Sequence, residues 1–476
     1  MNGNSAKATR LPQANDKGTP RARSTVSGRT PLPIRDRDPR DQKQKTESED
    51  QRMNCFDNVI GYDKIKEELT QICDMIRNRE LYEGLGAKMP GGILLYGKPG
   101  LGKTLLANAF IMQSGLKRYT VCLLDAKDDL LKAIDNAFKL AAENAPAVVF
   151  LDDMDKLANE DEYHRDAREY VAIQSAIDGV KGKNVIVVAT ANDIDKLPES
   201  LIRDGRFDHR IEVETPNDAD ARRIIEYYLS SKKVGSSVNM EDLCMMISYH
   251  SCAELETILN EAAIHAGRSR HTAIEMDDLV KTVLRMTYHT DQNYDNTSEE
   301  ELRKVALHEA GHLTICEAII PGSIGLATLT VSDDSVAGTV RRCRDLKRRP
   351  YEILVALGGK VATELYYSET CASGCQLDLR MAVSRIRDGV VGSGTHGVDL
   401  LDPSGRRDES SDHYKNDVER VVHAALERFI FKARDVLLKN RDFLEKITEA
   451  LIEKKTLLYS DIRAIRESVT LVPAVV

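Results

Sequence analysis

From Phe56 onward the chain alternates between two rhythms of apolar residues. KIKEELTQICDMI (64–76) places them at helical spacing, whereas GGILLYG (91–97) is a short continuous apolar run ending in a glycine turn. YTVCLL (119–124), AVVFLDD (147–153) and VIVVAT (185–190) repeat the strand-like run, with helical stretches between them, up to about residue 212. Strands that are apolar along their whole length, alternating with helices, predict an α/β fold: a parallel sheet with helices on both faces. Residues 213–290 predict only helices, in ADARRIIEYYL, CAELETILNEAAIHAG and EMDDLVKTVLRM. TYHTDQNYDNTSEE (287–300) is polar and turn-rich and predicts a linker. Beyond Glu301 the pattern is mainly helical again, ending in long amphipathic stretches such as NDVERVVHAALERFIFKARDVLL (416–438). Residues 1–52 have almost nothing to bury and predict a disordered basic tail.

Composition narrows the function. The 476 residues are enough for two or three domains. The net charge of -9, the absence of Trp and an aromatic share of 5% argue against nucleic acid as a partner. Nine scattered cysteines without framework spacing suit a reducing compartment. No run approaches the roughly 18 apolar residues of a membrane span, and the N-terminus lacks the apolar core of a signal peptide. A soluble, cytoplasmic protein is expected.

Two constellations carry chemistry. Gly97-Lys98-Pro99-Gly100-Leu101-Gly102-Lys103-Thr104 has the GxxxxGK(S/T) spacing, follows a strand and opens a helix. Backbone N–H groups there cradle the phosphates of ATP, Lys103 reaches the β- and γ-phosphates, and Thr104 binds Mg²⁺. AVVFLDD ends a strand on two carboxylates: Asp152 for the Mg²⁺ shell, and Asp153 to orient water toward the γ-phosphate. VIVVATAN brings the Asn192 amide to the same place. Arg203 and Arg206, three apart in LIRDGRFDHR, can neutralise charge in the phosphoryl-transfer transition state.

VALHEAGHLTI (305–315) contains His-Glu-x-x-His. On a helix His308 and His312 share one face, so both can hold one Zn²⁺ with Glu309 beside them as general base. The pattern alone also allows two histidines that merely share a helix face. A catalytic zinc needs a third protein ligand, and Glu364, Cys371, Cys375 and Asp378 all lie downstream. Spacing does not choose among them. Cys73 and Cys316 fall at apolar positions and read as core residues.

FDNVIGYDKIKEEL, LGAKMPGGILLYGKPGLGKTLLA, AVVFLDDMDKL and LIRDGRFDHR together resemble the AAA+ ATPase module of the FtsH-type ATP-dependent zinc metalloproteases. SEEELRKVALHEAGH, LGGKVATELYY and SGCQLDLRMA resemble the same family's peptidase domain, in the same order after the ATPase, and the two resemblances together cover about residues 53–470. The resemblance implies that Val59, Ile60 and Gly61 lie against adenine and that Asn192 is a sensor. It implies that Arg203 and Arg206 act across the interface of a homo-oligomeric ring, a hexamer. Asp378, matching the aspartate of the family's TGA-x-x-DL segment, is then the third zinc ligand. After the basic tail (1–52), the segments are then a nucleotide-binding subdomain (53–212), a helical lid (213–290) and a mainly helical, zincin-type peptidase domain (291–476). The implied activity is ATP-dependent degradation of unfolded or damaged proteins.

Four differences from the family pattern qualify this. A polar tail stands where the family has membrane spans. Asp153 replaces a glutamate, and the shorter reach predicts slow hydrolysis. The expected pore segment, LLDAKDDLLKA (123–133), is acidic and has no aromatic residue, unless Tyr163 supplies one. Leu101 replaces a threonine with little expected effect. Two further readings follow: a nucleotide-gated assembly protein that hydrolyses weakly, and a zinc peptidase that works without ATP.

Overall fold

The computed structural model describes residues 55–121, 130–157, 168–203, 205–288, 298–332, 335–342, 349–367, 372–395, 400–401 and 411–474. The basic tail, most of the expected pore segment, Tyr163, Cys371 and most of the expected linker lie outside the described residues.

Five parallel strands form the first sheet: β1 (Gly92–Tyr96), β2 (Lys117–Val121), β3 (Ala147–Leu151), β4 (Val185–Ala191) and β5 (His209–Glu212), in the order β2-β3-β4-β1-β5. Every residue of β3 and β4 is buried, which explains their unbroken apolar sequence. Alternate residues feed two cores. Leu94, Val149 and Val187 pack with α4 (Leu130–Glu143) and α5 (Arg168–Val180). Ile93, Leu95, Val148, Phe150 and Val188 pack with α1 (Asp63–Arg77) and α3 (Lys103–Ser114). The short helices α2 (Arg79–Gly84) and α6 (Glu199–Ile202) complete this part. Cys73, at 1% exposure, is a core residue of the second layer, as expected.

Four helices follow: α7 (Asp218–Ser230), α8 (Met240–Ile247), α9 (Cys252–Arg268) and α10 (Met276–Tyr288). They share one apolar core, and α9 begins in a capping box of Ser251 and Glu254.

The remaining elements are α11 (Glu299–Ile319), β6 (Ile324–Ser332), β7 (Ser335–Arg342), α12 (Arg349–Tyr367), α13 (Ala372–Ser393), α14 (Asp412–Lys439), α15 (Arg441–Lys454), β8 (Thr456–Leu458) and α16 (Tyr459–Glu467). The region is mainly helical, as expected. It also carries an antiparallel sheet, in the order β7-β6-β8, that the helical reading did not contain. β8 has only three residues and takes its identity from pairing with β6, about 130 positions earlier, so no local period announces it. α11 and α12 cross at Gly311 and Gly358, where a Cβ on either would collide with the backbone of the other. Cys316 is fully buried in this core.

The second and third groups of elements are joined. Asp242 on α8, 3% exposed, accepts hydrogen bonds from Ser460 N at 2.7 Å and Ser460 Oγ at 2.8 Å, so it caps the start of α16. Glu241 takes both its oxygens to Arg463 at 2.8 and 2.9 Å. Leu326 of β6 is buried in the core of the α7–α10 group. No helix among the described residues is long and apolar enough to cross a membrane.

Candidate functional site

The loop between β1 and α3 is held open by backbone conformation, with positive φ at Gly97, Gly100 and Gly102. Lys103 opens α3 at 5% exposure and donates to Gly97 O (2.7 Å), Lys98 O (2.8 Å) and Asn192 Oδ1 (2.9 Å). Burial draws its pKa below the ordinary lysine value, while Asp153, Asp155 and Asp152 work in the opposite direction. Pro99 and Leu101 complete the loop, with Leu101 buried beneath it. The N-terminus of α9 closes one side, through Ala253 N donating to Gly100 O at 3.1 Å.

The carboxylates arrive at the ends of neighbouring strands, where ligands gather in open α/β sheets. Asp152 Oδ1 accepts from Thr104 Oγ1 at 2.9 Å and from Thr190 Oγ1 at 2.6 Å. Thr104 and Asp152 therefore stand together, as a shared Mg²⁺ ion requires. Asp153 has φ 53, in the left-handed region. Its backbone N donates to Thr190 Oγ1 at 2.8 Å, its Oδ1 accepts from Asn192 Nδ2 at 3.3 Å, and its other oxygen pairs with Lys156. Asn192 N donates to Asp155 Oδ1 at 2.7 Å. Thr190 and Asp155 thus hold the three expected residues in place. Sequence reading passed over both, although Asp155 is the third carboxylate of LDDMD.

Val59 is buried, Ile60 is half-buried against the α7–α10 core, and Gly61 packs on Asp220 at φ 78. Asp220, on α7, also accepts from Tyr62 N at 3.2 Å. The expected adenine-side segment is therefore held between the sheet and the helical group.

The two arginines separate. Arg203 is exposed at the end of α6. Arg206 is 7% exposed, and its guanidinium reaches Asp178 Oδ2 at 2.7 Å, Asp178 Oδ1 at 3.3 Å and the Ser200 carbonyl. Arg206 and Lys181 hold the Asp178 carboxyl well below the usual carboxylate range. Arg206 is thus paired within its own chain, as a buried guanidinium requires, whereas Arg203 has its side chain exposed.

On α11, His308 and His312 lie one turn apart with ring centroids 4.7 Å from each other. Their Nε2 atoms are 3.0 Å apart, and Asp378 Oδ2, from α13, is 3.1 Å from the first and 3.2 Å from the second. These three donors are the metal-competent cluster found among the described residues. The other candidates sort by position. Glu364 pairs with Lys360 and stands 3.8 Å from Arg434, and Cys375 faces the far nitrogen of His308. Two imidazole nitrogens and one carboxylate oxygen suit zinc with a fourth position open, and tetrahedral zinc places its ligands about 3.3 Å apart.

The surroundings fix the donors. His312 Nδ1 lies 2.6 Å from Val355 O and donates to it, which leaves Nε2 free to ligate. The His308 ring lies on Gly359, where a Cβ would collide with it. Glu309 is 7% exposed under Gly338 of β7. Burial raises the Glu309 pKa against the pull of His312 and His308, and Asp378 adds to the rise. Burial lowers that of His312, but Asp378 and Glu309 outweigh it and push the imidazole up to about 9. Burial likewise works to raise Asp378, yet the two histidines hold it well below the carboxylate range. His312 and Asp378 thus favour each other's charged forms, while burial disfavours the charge on Glu309.

Comparison with known proteins gives two family matches along the chain. Residues 93–215 match the ATPase family associated with various cellular activities (AAA), and residues 295–465 match peptidase family M41. The chain is 30% identical over 454 residues to ATP-dependent zinc metalloprotease FtsH 3 of Synechocystis sp., covering 87% of this chain and 73% of that one. It is 30% identical over 444 residues to ATP-dependent zinc metalloprotease FtsH of Caldicellulosiruptor bescii, covering 86% and 71% respectively. Against the chloroplastic ATP-dependent zinc metalloprotease FTSH 8 of Arabidopsis thaliana the identity is 30%, over 88% of this chain and 65% of the relative.

Proposed function

The chain belongs to the FtsH-type ATP-dependent zinc metalloproteases, and from that premise we propose how its residues divide the work. The activity is ATP-dependent proteolysis, with zinc and ATP–Mg²⁺ as the required groups. His308, His312 and Asp378 hold the zinc, and the convergence of their three donor atoms beside Glu309 is the observation that carries the reading.

A zinc ion in that position supplies Lewis acidity, lowering the pKa of water and polarising the scissile carbonyl. Glu309 takes the proton of the attacking water and passes it to the leaving amine. Its burial raises its pKa above the ordinary carboxylate value, the direction that suits a carboxyl which must both take and return a proton. Val355, through its carbonyl, keeps the His312 ring in the ligating tautomer.

In the nucleotide pocket, the backbone of Gly97, Lys98, Pro99, Gly100, Leu101, Gly102, Lys103 and Thr104 receives the phosphates, with no N–H from Pro99. Val59, Ile60 and Gly61 line the adenine side. Lys103 turns from the loop carbonyls to the β- and γ-phosphates, and Thr104 with Asp152 holds Mg²⁺. Asp153 orients water and Asn192 senses the γ-phosphate. Arg203 reaches a neighbouring subunit of a homo-oligomeric ring of six. We keep the four-segment division and the cytoplasmic setting expected from the sequence, and unfolded or damaged proteins as substrates.

Degradation of an unfolded protein tests this. Cleavage should require both ATP and Glu309, and Glu309→Gln should lower it by about 10²–10⁴-fold, the usual contribution of a general base, while zinc stays bound. Unchanged cleavage by that variant would refute the assignment. A second reading, a nucleotide-gated assembly protein with weak hydrolysis, draws support from Asp153. Its side chain is short, and one of its oxygens is already paired with Lys156.

A further inference from the structure

His308 and His312 are alike in presenting Nε2 to Asp378, and they differ in what holds the other nitrogen. A ligating imidazole is normally fixed by a partner on its second nitrogen, which sets both tautomer and ring rotation. For His312 that partner is the backbone carbonyl of Val355 at 2.6 Å, which no side-chain substitution removes. For His308 the group facing Nδ1 is Cys375 Sγ at 3.8 Å, within sulfur hydrogen-bonding range.

Cys375 is 2% exposed and sits on α13 three residues before Asp378. That is one helical turn, so α13 brings a carboxylate to Nε2 and a thiol to Nδ1 of one imidazole. Gly359 closes a face of the ring. We propose that Cys375 is the positioning residue of His308: its sulfur accepts the Nδ1–H, leaving the Nε2 lone pair directed at the metal position. Sulfur is a weak acceptor, so this histidine is the more loosely set of the two. The plain alternative is a buried cysteine that only fills space. The inference rests on the zinc reading above.

The experiment compares zinc affinity, by competition with a chromogenic chelator, in the full chain and in Cys375→Ala, Cys375→Ser and Cys375→Val. Loss of an outer partner typically weakens metal binding 10–100-fold, and a weak sulfur acceptor places Cys375→Ala near the lower end, about 10-fold. Cys375→Ser, which restores an acceptor, should return to within about threefold of the natural chain. Cys375→Val, which fills the space without accepting, should not. The Co²⁺-substituted proteins should show the same order in their visible spectra. Equal affinity in Cys375→Ala, or rescue by valine as complete as by serine, overturns the proposal. If Cys375→Ala does not fold, the serine–valine difference decides alone. Failure of the natural chain to take up zinc would instead overturn the metal reading itself.

Discussion

The nucleotide pocket and the metal centre are built by opposite means. The first is a backbone loop at the C-terminal ends of the sheet's strands, with Thr104 exposed, Asp152, Asp153 and Asn192 half-buried, and an exposed Arg203. The second is a closed cluster in which the side chains of His308, His312 and Asp378 are 6, 11 and 20% exposed. A loop that closes around phosphates tolerates open surroundings, because the ligand brings the charge that organises Lys103 and the carboxylates. A metal cluster must keep its donors aligned beforehand, and here packing on Gly359 and the Val355 carbonyl does so. The metal centre is thus the preorganised site and the nucleotide pocket the adaptable one.

Breaking the adaptable site alone gives the largest contrast. Lys103→Ala removes a charge-assisted contact worth roughly 1.5–3 kcal/mol, so ATP binding measured by calorimetry should weaken by about 10–100-fold. Zinc content and cleavage of a short peptide should stay unchanged; loss of zinc in this variant would mean that the two sites are not separable.

An effect of opposite sign, at most as large, tests the reach of Asp153. The backbone N–H and side chain of this residue are already engaged by Thr190, Asn192 and Lys156. Asp153→Glu adds one methylene, and a correction on the order of 1 Å is worth up to about 10²-fold in rate. Steady-state ATP turnover should therefore rise with little change in KM. A fall would show that the left-handed backbone at this position excludes the longer acid.

The third contrast concerns protons at the metal centre. His312 stands at about 9, above its unfolded value near 6.5. Its contribution to the metal-free fold is full below pH about 6.5 and is lost as pH rises through about 9. Asp378 is depressed, so its contribution is present above pH about 3.9 and is lost on acidification below that. The thermal midpoint of the chelated protein should accordingly fall between pH 7 and 9.5. Zinc displaces the His312 proton, so apparent zinc affinity should drop about tenfold per pH unit below 9. A flat affinity profile would detach His312 from the metal.

Both sites were visible in the sequence to the extent that they are local. The phosphate loop lies between β1 and α3, and the two histidines lie within one turn of α11, so strand-loop-helix order and the helical period suffice to read them. The buried strands β3 and β4 were equally legible, because a strand covered on both faces is apolar throughout. The β7-β6-β8 sheet was not, since β8 exists only through a partner far away in the chain.

By itself, then, the sequence determined the α/β nucleotide module, the phosphate loop and the pairing of the two histidines beside Glu309, and resemblance pointed to Asp378, whose carboxylate the fold brings to them. Tertiary structure decided that Arg206 turns inward to Asp178 while Arg203 stays exposed. It also decided that Val355 and Cys375 face the second nitrogens of the histidines, and that Asp242 caps α16 from 218 residues away. The reason is physical. Backbone geometry ties a residue to its neighbours within a turn or two, whereas a contact across tens or hundreds of residues exists only once buried faces have brought the segments together.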